Sequence, residues 1–147
     1  MRCDVDERIT NSSRPSKYVC YKLSRVMRKV HRYYESSFSQ YGITPAQFYV
    51  LSAVWENDGV KFKELAKSLE MDGSTLTSIL DRLERQDLLE RRDDPEDRRS
   101  ILVYLKEKAK HSLGQITGLA EQLDQEMKER FSDEEFATFE RVLDKLF

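Results

Sequence analysis

The sequence predicts a mainly α-helical fold of six helices with one small β-hairpin. Apolar residues recur at spacings of three and four along most of the 147-residue chain, which is the period of amphipathic helices. Glycine and proline are scarce, at 5 and 3 residues, so few loops interrupt these helices. The helical period is lost only across residues 88–105, where two short strand-like runs flank a polar turn that contains a proline.

Composition narrows the classes of protein that this chain can belong to. Charged residues make up 35% of the chain, yet the formal net charge is only −2, so any affinity for nucleic acid must arise from a local surface. Cys3 and Cys20 form neither a disulfide framework nor a zinc site. The chain shows no signal peptide and no apolar run near the roughly 18 residues of a membrane helix. We therefore expect a cytoplasmic protein without a membrane segment.

No pattern of catalytic residues stands out in the sequence. It contains no glycine-rich phosphate loop, no cluster of metal ligands at the required spacing and no nucleophile elbow. His31 and His111 are isolated, which is typical of surface histidines. The sequence accordingly predicts a protein that is not an enzyme and that needs neither a cofactor nor a metal.

The first predicted helix runs from Pro15 to Tyr41 and ends at Gly42. One face is apolar and the opposite face is basic, with Glu35 as its one acidic residue. The apolar face carries Val19, Leu23, Val26, Met27, Val30, Tyr34, Phe38 and Tyr41, and the basic face carries Arg14, Lys17, Lys22, Arg25, Arg28, Lys29 and Arg32.

The second predicted helix opens with a capping box. Thr44 can cap the helix, Pro45 suits its first turn and Gln47 can bond back to the cap. Its apolar residues cover more than one face, which predicts a helix at the centre of the core; they are Phe48, Val50, Leu51, Val54 and Trp55.

Two shorter helices follow, over 61–70 and 73–86, joined by a tight turn that contains Asp72. The second of them buries one leucine-rich stripe and exposes a polar face with small hydroxyl side chains at its start. The buried stripe is Leu76, Ile79, Leu80 and Leu83, and the polar face is Ser74, Ser78, Asp81, Arg82 and Arg85, flanked by Thr75 and Thr77.

Residues 88–92 and 100–105 are predicted strands, with a polar turn at 93–99 between them. Two helices joined by a tight turn and followed by a hairpin define a winged helix-turn-helix. Small side chains allow a helix to lie deep in the major groove of DNA, and a helix N-terminus attracts phosphate. The pattern favours a DNA-binding lobe over 43–105.

The tip of the hairpin carries Arg98 and Arg99. An arginine on such a protrusion can enter a narrow minor groove, and Asp97 is interpreted as an acidic partner that orients an arginine. The alternative reading is a solvated tip and a capped surface helix, whose arginines pair with Asp81 and Glu84. That reading predicts a winged-helix protein-interaction module without DNA binding.

The last third of the chain is helical again from Lys106. Ala109, Leu113, Ile116, Ala120, Leu123 and Met127 form the seam of a helix that packs along another helix. A capping box over 132–135 opens a final helix with Phe136, Phe139, Val142, Leu143 and Leu146. These two helices are acidic, and their charge is opposite to that of the first helix. If they meet across a dimer interface, dimerisation should weaken modestly with salt. The alternative is that the acidic and basic faces are solvated independently.

From Gly42 to Leu105 the sequence resembles the multiple-antibiotic-resistance regulator (MarR) family. The resemblance lies in ITPAQFYVLSAVWEND, FKELAKSLEMDGSTLTSILDRLERQDLLERR and DDPEDRRSILVYL. It implies six helices with a β-wing, and a homodimer formed by helices within 14–41 and 106–147. Such a dimer is expected to read a palindrome in double-stranded DNA as a repressor. The residues implied to contact DNA are Ser74, Thr75, Thr77, Ser78 and Arg82 on the recognition helix, with Asp97, Arg98 and Arg99 in the wing.

The resemblance also implies a signal that changes DNA affinity. A small aromatic or phenolic ligand is expected between the dimerisation helices and the DNA-binding lobe. One branch of the family senses peroxides through a cysteine on the first helix, and Cys20 lies near that place. Pro45 and Phe48 stand where that branch has tyrosines, and neither side chain can donate a hydrogen bond to a thiolate. The alternative role for Cys20 is that of a small, partly buried apolar side chain.

Overall fold

The computed structural model describes residues 15–146, which contain six α-helices and one three-stranded antiparallel sheet. The predicted mainly α fold with a small β-wing is confirmed. The helices are α1 (Val19–Phe38), α2 (Pro45–Glu56), α3 (Phe62–Ser68), α4 (Gly73–Arg85), α5 (Glu107–Lys128) and α6 (Asp133–Asp144). The strands are β1 (Val60–Lys61), β2 (Leu89–Asp93) and β3 (Ile101–Leu105).

The sheet has the order β1-β3-β2, with β3 paired antiparallel to both neighbours. Leu89 pairs with Leu105 in the hairpin, and Val60 pairs with Val103 on its other side. The strand β1 was not predicted, and the sequence placed Lys61 in a helix instead. A two-residue strand is too short to show the alternation of apolar and polar residues that predicts a strand. It forms because its backbone can pair with the edge of β3.

The helix α1 is shorter than predicted. It spans Val19–Phe38, and the predicted turns at either end are short 3₁₀ segments, Pro15–Lys17 and Ser39–Tyr41. Gly42 ends the segment in the left-handed conformation, with φ of 68°. A helix that approaches such a cap commonly tightens its last turn into 3₁₀ geometry.

The core lies between α2, α3, α4, the sheet, the end of α1 and the inner face of α5. Val50, Leu51 and Val54 of α2 are fully buried, as predicted, but Trp55 is 56% exposed. Its assignment to the core was wrong. At about 100° per residue, the buried residues Val50, Leu51 and Val54 lie along one stripe of α2, and Trp55 projects from the edge of that stripe toward solvent.

Both predicted capping boxes are present, at Thr44 with Gln47 and at Ser132 with Glu135. Gln47 does more than cap α2. It is buried, and its Nε2 donates to Gln86 Oε1 at 3.1 Å, while Gln86 Nε2 donates to the Gly42 carbonyl at 2.7 Å. The start of α2 is thereby tied to the end of α4.

Two helical segments project from this core. Every described residue from 15 to 29 is exposed, and Phe38 is the one buried residue of α1. The helix α6 has no buried residue. Large apolar side chains lie open on both helices; they are Val19, Leu23, Val26, Met27, Phe139, Val142 and Leu143. Within residues 15–146, no helix has the length and apolar character needed to cross a membrane.

Candidate nucleic-acid interface

The helix α4 begins at a strongly bonded cap, Asp72. Its carboxylate accepts the backbone N–H of Thr75 at 2.9 Å, and the hydroxyls of Ser74 and Thr75, each at 2.6 Å. These hydrogen bonds, the one from Ser74 foremost, hold the pKa of the Asp72 carboxyl well below its usual range. The cap therefore stays ionised and holds the first turn of α4 in a fixed shape.

The hydroxyl side chains at the start of α4 are exposed, but most of their hydrogens are already used. Besides Ser74 and Thr75, the Thr77 hydroxyl donates to the Gly73 carbonyl at 2.7 Å. A hydroxyl whose hydrogen is committed can still accept a hydrogen bond. In the major groove, the amino groups of adenine and cytosine are donors from which these three hydroxyls could accept a hydrogen bond.

Ser78 and Arg82 lie one turn apart on the exposed side of α4. Neither side chain has a hydrogen bond or an ion pair to any other residue within 15–146. Leu76, Leu80 and Leu83 on the opposite side are fully buried. The structure thus brings all five predicted recognition residues to one exposed surface of a firmly seated helix.

Arg91 of β2 holds two acidic residues of α4, and sequence reasoning missed this contact. Its Nη2 lies 2.5 Å from Asp81 Oδ1 and 2.6 Å from Glu84 Oε2. The hydrogen bond from Arg91 also lowers the pKa of Glu84. The alternative interpretation paired Asp81 and Glu84 with arginines of their own helix. Among those arginines, Arg85 bonds only to the Asp81 backbone carbonyl, through its Nε at 3.1 Å.

The wing turn is organised by Asp94, another residue that sequence reasoning missed. Its side chain is 6% exposed and lies 3.3 Å from Lys61 Nζ of β1. Its other oxygen accepts the Glu96 N–H at 2.9 Å, which is the main reason why the pKa of Asp94 is lowered. A single aspartate in a polar turn carries no signal for this role, because the role depends on β1.

Asp97 accepts the backbone N–H of Arg99 at 3.0 Å, and its own carbonyl accepts the Ser100 N–H at 2.8 Å. Its carboxylate therefore shapes the turn, whereas the sequence led us to expect contact with a guanidinium. Asp97, Arg98 and Arg99 are all exposed. The guanidiniums of both arginines lack a partner within the described chain, so they are available to a ligand.

The base of the wing is held by side chains as well. Arg92 of β2 lies over the ring of Tyr104 on β3, with its guanidinium carbon 4.5 Å from the ring centre. Lys106 and Asp87 form an ion pair at the foot of the hairpin. The hairpin is therefore a braced protrusion, and its exposed tip presents Arg98 and Arg99.

The cysteine of α1 has a different environment from the one expected of a partly buried filler. Cys20 is exposed and unbonded to any other cysteine. Pro45 is buried, and the ring of Phe48 packs against Phe38 at 5.1 Å between ring centres. Neither supplies a donor to the thiol. Across residues 15–146, no group of three or more His, Cys, Asp or Glu residues is placed to hold a metal ion.

An exposed helix of a helix-turn-helix, followed by a braced hairpin with free arginines, is the arrangement of a winged-helix DNA-binding regulator. The sequence profile of the MarR family matches residues 43–101. The organic hydroperoxide resistance transcriptional regulator of Bacillus subtilis (strain 168) is 32% identical over 118 residues, which cover 76% of this chain and 80% of that protein. An uncharacterized HTH-type transcriptional regulator of the same organism, YsmB, is 34% identical over 108 residues, or 74% of each chain.

Solved structures agree with this assignment. A MarR mutant from E. coli in complex with operator DNA has a TM-score of 0.78 and 32% identity, over 85% of this chain and 90% of that one. The S. aureus MepR–DNA complex shares the fold, with a TM-score of 0.82 and 23% identity over 88% and 96% of the two chains. This chain belongs to the MarR family of transcriptional regulators, which are DNA-binding proteins and not enzymes.

Proposed function

We propose that the protein is a homodimeric repressor that binds a palindromic operator in double-stranded DNA in the cytoplasm. The observation that carries this proposal is the joint exposure of the α4 polar face and of the wing arginines, with Arg91 joining the two elements. In this reading α4 enters the major groove, and Ser74, Thr75, Thr77, Ser78 and Arg82 meet base edges or phosphates.

The wing takes the second role in this proposal. Arg99 enters the adjacent minor groove, where narrow A·T tracts concentrate negative potential, and Arg98 meets the phosphate backbone. Asp97 contributes by holding the turn that presents Arg99, through the bond to its backbone N–H. The negative net charge does not oppose this, because the DNA-facing arginines are local to α4 and the tip.

The second copy of the chain is proposed to cover the open apolar faces of α1 and α6. Val26 is 54% exposed and Val142 is 50% exposed, which is unusual for large apolar side chains that recur along amphipathic helices. Joining two such helix pairs about a two-fold axis buries these residues. A two-fold dimer also carries two copies of α4, and this geometry is suited to a palindromic site.

Affinity for DNA is proposed to respond to a small ligand or an oxidant. A small aromatic or phenolic ligand is the class that the family resemblance favours. The exposed thiol of Cys20 is accessible to an oxidant. A change at Cys20 would act on the dimer face of α1, since this residue borders it.

The proposal is tested by a salt series of binding to the DNA upstream of the protein's own gene, beside unrelated DNA of equal length. We expect tight binding that prefers the upstream fragment and weakens steeply with salt, because phosphate contacts release counterions. Weak binding that is equal for both fragments, and stays equal for fragments across the genome, would instead favour a winged-helix protein-interaction module.

A further inference from the structure

An open groove of about 480 Å³ lies between α2 and α3, beside β1. Its volume falls within the range of small-molecule sites, roughly 300–1,000 Å³. None of the proposed DNA-binding residues lines it, and no residue of α1 or α5 does. Its wall includes Tyr49, Ser52, Glu56, Val60, Glu64 and Leu65.

The charges along the groove are of one sign. Glu56 and Glu64 are the charged residues of its wall, which contains no lysine or arginine. Both glutamates are exposed, and neither forms an ion pair with another residue of the described chain. Lys61, which does not line the groove, interacts electrostatically with Glu64. The two carboxylates in the wall of a largely apolar groove still attract a cation and repel a phenolate or carboxylate.

The groove also offers an aromatic ring. Tyr49 is 45% exposed and can lie against a flat cation through a cation–π contact. The hydroxyl oxygen of Ser52 lacks a hydrogen-bond partner among the described residues, but it is buried and so lies out of reach of a ligand in the groove.

From these features we infer that the α2–α3 groove binds a flat aromatic cation. The apolar floor and the ring of Tyr49 contact the ring system, and Glu56 and Glu64 neutralise the positive charge. This class is opposite in charge to the phenolic ligand that the sequence led us to expect, and the site differs from the one between dimerisation helices and lobe.

The groove is also connected to the DNA-binding elements. Leu65 forms its floor and is fully buried in the core, and Val60 pairs with Val103 of the wing. A ligand that binds the free and DNA-bound conformations unequally would therefore change DNA affinity. That consequence rests on the proposed function, whereas the binding itself does not. The test below uses the protein without DNA, so its failure is separate from any failure of DNA recognition.

The test is a fluorescence titration of the full-length protein with 9-aminoacridine and with acridine at mildly alkaline pH, where the first is a cation and the second is neutral. We expect saturable binding of 9-aminoacridine and at least tenfold weaker binding of acridine. The double variant Glu56→Gln/Glu64→Gln should bind 9-aminoacridine about tenfold more weakly than the native chain, because two modest ionic contacts are lost.

A control variant makes the result specific. Glu121→Gln removes one negative charge from the exposed surface of α5, away from the groove, and we expect no change in affinity. Thermal unfolding confirms that each variant is folded. The inference is overturned by equal affinity of the two dyes, by equal affinity of the double variant and Glu121→Gln, or by the absence of saturable binding.

Discussion

The backbone N–H of Arg91 donates to Glu84 Oε1 at 2.9 Å, and the Arg91 guanidinium lies 2.6 Å from Glu84 Oε2. One side chain of α4 thus receives two bonds from a single residue of the wing. A bidentate contact of this kind restrains direction as well as distance. We expect this pair to fix the angle between α4 and the hairpin, which the proposed function requires for both elements to reach DNA together.

Replacing Arg91 by methionine is expected to weaken both DNA binding and folding. The change leaves Asp81 and Glu84 without their cation, beside the surface that we propose binds DNA. Because the group is partly exposed, the loss of folding free energy should be about 1 kcal/mol. Chemical denaturation and a binding titration measure the two effects. Arg98→Met serves as the control for folding, since the Arg98 side chain has no partner within the described chain. An equal loss of folding free energy in Arg91→Met and Arg98→Met would contradict the role of Arg91.

Replacing Arg99 by alanine is expected to weaken DNA binding by about 1–3 kcal/mol and to leave folding nearly unchanged. The side chain is exposed at the wing tip, so its removal disturbs no packing. Anisotropy titrations with the preferred DNA fragment, beside thermal unfolding, separate the two quantities. Glu96→Ala in the same turn is the matched control. Native affinity for Arg99→Ala would exclude the wing from DNA recognition.

Folding stability is expected to fall in acid through Asp72 and Glu84. Both carboxyls have a folded-state pKa below their ordinary values of 3.8 and 4.5. Their contribution is complete above those values and is lost as the pH falls through the folded-state pKa. Denaturation curves between pH 7 and pH 3 measure this slope. Asp72→Asn and Glu84→Gln should each flatten it below about pH 4.5, and an unchanged slope in both would refute the assignment.

Val26→Glu is expected to dissociate the proposed dimer, because it introduces a charge into an apolar face of α1. Sedimentation at several protein concentrations gives the dissociation constant. Arg25→Glu, on the basic face, is the contrasting variant. It should weaken the dimer modestly at low salt and match the native chain at high salt. If Val26→Glu has the dissociation constant of the native dimer, the apolar face of α1 is excluded from the interface. If the dissociation constants of the native chain and of Arg25→Glu do not depend on salt, the acidic and basic faces are independently solvated.

Gly59 and Gly42 should respond differently to alanine. Both have positive φ, at 87° and 68°, so each substitution incurs the cost of a left-handed residue, about 1 kcal/mol. A Cβ on Gly59 would also lie 2.7 Å from Tyr104 Cε1, whereas one on Gly42 meets nothing within 4 Å. Denaturation should therefore show a larger loss for Gly59→Ala than for Gly42→Ala. Equal losses would mean that Tyr104 moves aside freely.

Local patterns in the sequence determined the elements that depend on near neighbours. The capping boxes at Thr44 and Ser132, the cap at Asp72 and the apolar stripe of α4 act over three or four residues, and each is present in the structure. The order of helices and hairpin follows from the same periodicity. The polar face of α4 could be placed on the surface because an amphipathic helix buries its apolar face. The wing arginines could be placed there because they lie in the polar turn at the tip of a hairpin.

Only the tertiary structure decided the contacts that join distant segments. The strand β1 exists because β3 offers it an edge, and Asp94 is buried because Lys61 of that strand reaches it. Arg91 meets Glu84 only after the hairpin folds back on α4. Trp55 faces solvent because the packing of the other elements selects which stripe of α2 is buried, and Trp55 lies at its edge. No local pattern encodes such pairs, since each depends on the relative placement of two elements that the packing of the whole chain sets.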